Sequence, residues 1–212
     1  MKDKFFILIT VMIINVNHLL IAQDTIPLLP HSEKGEVSLI EALNKRKSTR
    51  NFSESKITDQ QLSDLLWAAF GINRPEENKR TAPSSQNQQE IDIYVFTADG
   101  VFIYDAVNHS IIKIINEDLR KLTGKQDFVE KAAVNLVYIA DHLKSKSDDP
   151  IDRSKTSHIN TGFIAQNIYL YCATQGLGVV VRGYLDKDVL AEKLNLKENQ
   201  EIIVAQSVGI IE

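Results

Sequence analysis

Arg46-Lys47-Ser48-Thr49-Arg50 is the densest group of anion-binding side chains in this sequence. If the apolar-periodic stretch Val37, Leu39, Ile40 and Leu43 continues through it as helix, Arg46 and Arg50 lie four residues apart on one face. Two guanidiniums so placed form a fork for a phosphate or another anion, with Ser48 as a further donor. The same residues also suit an ordinary helix C-terminus, where Lys and Arg complement the dipole and the last carbonyls. Other chemistries lack their residues. The five histidines, His18, His31, His109, His142 and His158, form no pair at metal-ligand spacing, so no metal site is expected. There is no Gly-rich phosphate loop, no dinucleotide fingerprint and no Gly-x-Ser-x-Gly elbow. The only cysteine, Cys172, sits in the apolar stretch Tyr169 to Ala173 and reads as a packed small residue rather than a nucleophile.

The elements around this group alternate between helices and strands. Thr58-Asp-Gln-Gln61 is a capping box opening a helix over Leu62 to Phe70, whose apolar residues at 62, 65, 66 and 69 mark one buried face and which Gly71 stops. Residues 72–89 read as a polar loop. Ile91 to Thr97 is a strand, and Asp99-Gly100 turns it into a hairpin partner over Val101 to Asp105. A third strand follows at His109 to Ile115, then short helices over Asp118 to Leu122 and Phe128 to Ala133. Asn135 to Ala140 is the continuous apolar run of a central strand. Residues 144–155 read as a charged loop, either a mobile lid or a solvated connection. The helix Ser157 to Gln175 is apolar almost all round between Phe163 and Ala173, so it must be covered on more than one side. Strand Val179 to Arg182, helix Lys187 to Leu194 and strand Ile202 to Ile211 complete the pattern.

Residues 1–22 are of another kind. A charged start, the apolar run Phe5 to Ile14 and the stretch ending at Ala22 predict a secretory signal peptide cleaved near Ala22 or Gln23, with an uncleaved membrane anchor as the alternative. Residues 23–36, with Pro27, Pro30 and Gly35, predict an extended leader, and residues 37–212 a single domain. About 190 residues remain after cleavage, enough for one sizeable core. The full chain carries a net charge of −4, and losing Lys2, Asp3 and Lys4 takes it to −5. That mildly acidic balance, without a basic stripe, argues against a nucleic-acid partner.

Three ordered blocks resemble the nitroreductase family, the FMN-dependent enzymes of that fold, and are most similar to the short branch with thiazoline-oxidase-like members. They are Arg46 to Arg50 with Asn51-Phe52; Ala82-Pro-Ser-Ser-Gln-Asn-Gln-Gln89; and Gly162-x3-Gln-Asn-x2-Leu170 running on to Gly176-Leu-Gly178. The resemblance implies an α+β fold with a central mixed sheet flanked by helices, an intertwined homodimer, and FMN as cofactor. It places Arg46 at the phosphate, Ser48 at the phosphate or the ribityl chain, and Arg50 at the pyrimidine edge of the ring. Asn87 suits the amide-like ring edge, or else is a turn residue bonding its own backbone. Pro83 and Ser84 would bring main chain against the ring. Gly176 and Gly178 would allow close approach of a ligand, and equally explain a helix stop.

Two departures stand against the pattern. Glu90-Ile91 replace the family's Pro and aromatic after the loop, and the basic pair near the C-terminus is missing. Arg182 is the candidate for the missing phosphate charge, unless it is an exposed strand-end arginine. The implied function is a two-electron oxidoreductase acting on a nitroaromatic, quinone or similar small conjugated acceptor. The alternative is an exported flavin-binding protein without turnover. No catalytic proton donor is assigned, since nothing selects among Tyr94, Tyr104 and Tyr184. Export, periplasmic or secreted, conflicts with the usual nicotinamide donor. The leader is then retained, another donor serves, or the enzyme runs as an oxidase.

Overall fold

The computed structural model describes residues 24–212. The expected signal peptide lies outside the described residues. Thirteen regular elements follow in chain order: β1 (Thr25–Pro27), α1 (Leu39–Lys45), α2 (Asp59–Phe70), β2 (Ile72–Arg74), β3 (Lys79–Arg80), β4 (Ile91–Thr97), β5 (Gly100–Asp105), β6 (Ser110–Ile115), β7 (Val134–Asp141), α3 (Pro150–Gln175), β8 (Gly178–Arg182), α4 (Lys187–Lys193) and β9 (Gln200–Gly209).

Seven strands form one sheet in the order β1-β6-β5-β4-β7-β9-β8, while β2 and β3 form a small separate hairpin. The expected α+β architecture is present. Every pairing in the large sheet is antiparallel, which is more uniform than the mixed sheet expected. Alternation along the central strands sorts the side chains into two cores. Ile91, Ile93 and Val95 of β4 and Leu136 and Tyr138 of β7 pack with Ile164, Ile168 and Cys172 of α3 and Leu65, Leu66 and Ala69 of α2. Tyr94, Phe96, Val137 and Ile139 face the other way, toward Leu190 of α4.

The local signals explain the helix ends. Thr58 and Gln61 form the predicted capping box, with Gln61 N–H donating to Thr58 Oγ1 at 3.1 Å and Thr58 N–H to Gln61 Oε1 at 2.9 Å. Ser38 caps α1 by accepting from Glu41 N–H at 3.2 Å. In the β4–β5 hairpin Thr97 pairs with Gly100, whose φ of 135° only glycine takes comfortably and whose Cβ would meet Ile115 O at 2.5 Å.

Five expectations are corrected. Helix α1 stops at Lys45, and Arg46 leaves it with ψ 118°, so Arg46 to Arg50 is not helical. The predicted helices over 118–122 and 128–133 are a single 3-10 turn, Arg120–Thr123, and irregular turns. Their backbone bonds are short local ones, as where Leu122 N–H donates to Leu119 O at 3.0 Å and Lys131 N–H to Phe128 O at 3.2 Å. The charged loop 144–155 is mostly helix: Asp149 caps Ile151 N–H at 3.0 Å and Pro150 starts α3, which removes the basis for a lid. The polar stretch 72–89 contains the β2–β3 hairpin. The leader is part of the domain, because β1 pairs with β6 and His31 stacks on Trp67 at 3.9 Å.

Candidate flavin site

Residues 46–50 leave the end of α1 as irregular chain that meets β8. Thr49 N–H donates to Val179 O at 2.9 Å, and this single backbone bond fixes the register of the segment. The helical period expected to join Arg46 and Arg50 is absent. Tyr169 of α3 gathers Arg46 and Ser48: Ser48 Oγ lies 2.9 Å from its hydroxyl and the Arg46 guanidinium 5.4 Å from its ring centroid. Val181 N–H also donates to that hydroxyl, at 3.0 Å. Arg46, Lys47 and Arg50 are exposed and have no carboxylate partner among the described residues. A cleft of about 410 Å³ opens beside them, lined by Lys47, Tyr169, Gly176 and Leu177. A larger one, about 700 Å³, lies between residues 32–37 and Trp67 and holds none of the predicted site residues.

The second block is a strained loop. Pro83 and Asn87 are exposed and Ser84 is half-buried. Gln86, Asn87 and Gln89 all have positive φ, at 51°, 54° and 49°. Non-glycine residues hold such angles only where their surroundings fix them. Here Ser84 Oγ accepts from Gln89 N–H at 3.1 Å, Arg80 Nε donates to Gln89 Oε1 at 2.7 Å, and Lys146 Nζ donates to Gln86 O at 3.0 Å. Asn87 Oδ1 accepts from Gln89 Nε2 at 3.1 Å. Asn160 of α3 accepts from Ser85 N–H at 3.2 Å.

One chain does not bring the two blocks together. Asn160 and Tyr169, their anchors on α3, are nine residues apart. That separation is about 13 Å along the axis and about half a turn around it.

Three predicted residues have structural work instead. Arg182 is 6% exposed and donates from Nε to Ser207 Oγ at 3.0 Å and from Nη2 to Thr123 Oγ1 at 2.9 Å and Asn135 Oδ1 at 2.6 Å. Its Nη1 donates to Thr123 O. Burial lowers its pKa to about 10. Both expectations for Arg182, a phosphate ligand and an exposed strand end, are thereby corrected: its donors are consumed inside the fold. Gly178 admits the Phe52 ring, where a Cβ would approach Cε1 to 2.9 Å, so the close approach expected of a ligand is made by the chain itself. Gly176 ends α3 with φ 68°. Of the phenols, Tyr94 and Tyr104 are buried, and Tyr184 is exposed beside Lys125. Burial pushes the Cys172 thiol up, which keeps it inert. No cluster that could hold a metal occurs among the described residues. Sequence reasoning missed Tyr169 and Asn160 as anchors. The signal for Asn160 was a polar residue in the sheet-facing stripe of α3.

The model of the Nitroreductase family matches residues 43–210. A protein of Methanocaldococcus jannaschii named as a nitroreductase is 32% identical over 173 residues, covering 77% of this chain and 87% of that protein. A crystal structure of a nitroreductase from Ralstonia eutropha superposes with a TM-score of 0.83 at 42% identity, over 89% of this chain and 90% of that one. The NADPH-flavin oxidoreductase of Vibrio harveyi is 25% identical over 178 residues, 80% of this chain and 64% of that protein.

Proposed function

The chain belongs to the nitroreductase family, and from that premise we propose that its flavin is FMN and that it passes two electrons to a nitroaromatic, quinone or similar conjugated acceptor. The observation that carries the reading is the group of cations Arg46, Lys47 and Arg50, without a carboxylate partner among the described residues, on a segment held by Thr49 and Tyr169.

FMN, when bound, supplies hydride chemistry at its ring N5, so the protein needs no nucleophile or metal of its own. The residues fit such a group. Arg46 offers a charge-assisted donor for a phosphate, with its guanidinium over the Tyr169 ring. Ser48 adds a hydroxyl beside it. Arg50 supplies positive charge to the pyrimidine edge, where negative charge builds as the ring is reduced. Asn87, displayed by the strained loop, offers a donor and an acceptor side by side. Pro83 and Ser84 offer main chain to a ring face.

We propose that a second copy completes the site, bringing residues 83–87 of one chain to residues 46–50 of the other. The outward faces support this. Leu39 and Ile40 of α1 are 63% and 68% exposed, and Ile159 and Phe163 of α3 are also uncovered. Such an apolar face is costly in water and marks an interface. The apolar run over residues 5–14 supports export, and an exported copy would draw electrons from a donor other than cytoplasmic NAD(P)H. N-terminal sequencing of envelope protein checks this: Gln23 or Asp24 is expected first, and intact Met1 on soluble cytoplasmic protein would remove the export claim.

Purification with a visible spectrum and release of the bound flavin tests the core reading. A yellow protein releasing FMN, reducible and then reoxidised by a quinone or nitroaromatic, is expected. Colourless protein that takes up no FMN at micromolar concentration would overturn it, and bound FMN that never turns over would leave a flavin carrier.

A further inference from the structure

Glu90 follows the strained loop directly and is fully buried. It pairs with no cation among the described residues. A buried carboxyl is expensive, and an aliphatic residue at the mouth of β4 would cost the fold less. Its Oε1 accepts from Asn160 Nδ2 at 2.7 Å, in a bond closed to solvent. Asn160, itself 2% exposed, accepts in turn from Ser85 N–H on its Oδ1. The two partners fix the amide orientation, because a backbone N–H can only donate. Glu90 Oε2, Ser157 Oγ and Thr161 Oγ1 are buried without partners, so polar atoms are kept on this stretch of α3 at a cost to stability.

The loop's other ties involve exposed or half-exposed groups. The Glu90–Asn160 bond alone is buried, and it reaches the backbone just before the left-handed residues Gln86 and Asn87. A non-glycine residue holds that conformation against a steric cost. A loop with such stored strain relaxes wherever its supports give way.

We propose that Glu90 is a positioning residue: through Asn160 it latches the Ser84–Gln89 loop from beneath and holds it in the conformation that receives the flavin ring. The proposal rests on the flavin reading only for its affinity arm. Its structural arm is tested on flavin-free protein.

Amide hydrogen exchange of the apoprotein is compared for wild type, Glu90→Gln, Glu90→Leu and Asn160→Ala. Gln keeps a carbonyl acceptor for Asn160, and Leu removes it. Exchange over residues 84–89 should accelerate about tenfold or more in Glu90→Leu and Asn160→Ala and stay near wild type in Glu90→Gln, with β4 and β7 amides unchanged. FMN and riboflavin affinities should then both fall about tenfold in the two latch-broken variants, since the latch serves the ring and not the phosphate. Unchanged loop exchange in both variants would overturn the proposal. So would acceleration spread evenly through β4 and β7, which would mean simple packing. If Glu90→Leu does not fold, Asn160→Ala decides by the same readout. If no flavin binds to any form, the flavin reading fails while the exchange pattern still reports on the latch.

Discussion

Residues 46–50 and residues 83–90 both present polar atoms to solvent, but the chain secures them in opposite ways. The first segment is irregular, tied by one backbone bond to β8 and by Tyr169, and its three cations have no carboxylate partner among the described residues. The second carries three left-handed residues and is tied down by Arg80, Lys146, Asn160 and, through Asn160, Glu90. A phosphate is a compact, strongly charged group that flexible cations can meet. A flat ring with a fixed pattern of donors and acceptors needs a backbone already in place. On the proposed reading the first region would supply affinity and the second alignment, and variants of the two should fail differently.

The largest effect expected is on a residue that belongs to neither region. Arg182→Leu strips four buried hydrogen bonds from Thr123, Asn135 and Ser207. The loss should be about 3–5 kcal/mol of stability in denaturant titration, because the remaining polar groups stay buried and unpaired. The preference for FMN over riboflavin should not change. Near-normal stability combined with a lost preference would put Arg182 at the phosphate after all and leave residues 46–50 only part of that end.

Arg46→Ala should weaken FMN by about 2–4 kcal/mol, roughly thirty- to a thousand-fold in affinity. Riboflavin lacks the phosphate and should bind almost as before. Parallel titrations of the two flavins decide the matter: equal losses would mean that Arg46 acts on the fold through Tyr169.

Arg50 should tune the flavin more than it holds it. A cation near the pyrimidine edge interacts weakly with the neutral oxidised ring and strongly once that edge gains charge. The difference is a coupling energy and shows in the reduction potential. Arg50→Met should lower the potential by tens of millivolts, about 1–3 kcal/mol for two electrons, with oxidised FMN binding within about tenfold. Arg50→Lys should keep most of the potential. Redox titration beside binding curves checks this, and an unchanged potential with abolished binding would make Arg50 a phosphate ligand.

Much of the frame was legible because its signals are local. The capping box at Thr58, the turn at Gly100 and the alternation along β4 each name their element within a few residues. Asp149-Pro150 was an equally local helix start, but the charged run around it read as loop. The segment at 46–50 misled because a four-residue spacing of arginines suits a helical turn, while the helix itself ends at Lys45. What decided was the hydrogen bond from Thr49 to Val179, 130 residues away in the sequence. Arg182 and Glu90 were opaque for the same reason. The partners that bury Arg182 come from three distant parts of the chain, and Glu90 meets Asn160 across 70 residues.

The smallest effect expected is also the sharpest test of how the loop is held. Gln86 sits at φ 51°, ψ 24°, and its side chain is exposed and makes no hydrogen bond among the described residues. Gln86→Gly removes the steric cost of the left-handed conformation, about 1 kcal/mol. It also frees the unfolded chain, which takes back about 0.4–1 kcal/mol. The net change in stability should therefore be under about 1 kcal/mol and neutral to favourable. The backbone carbonyl that accepts from Lys146 is kept, as are the ties at Ser85 and Gln89. If those anchors hold the loop, FMN affinity stays within about twofold of wild type, although glycine is the most flexible residue available. A tenfold loss without any loss of stability would show that the loop depends on local backbone stiffness at Gln86. The contrast between a loosely held cation segment and a loop fixed by its anchors would then fail.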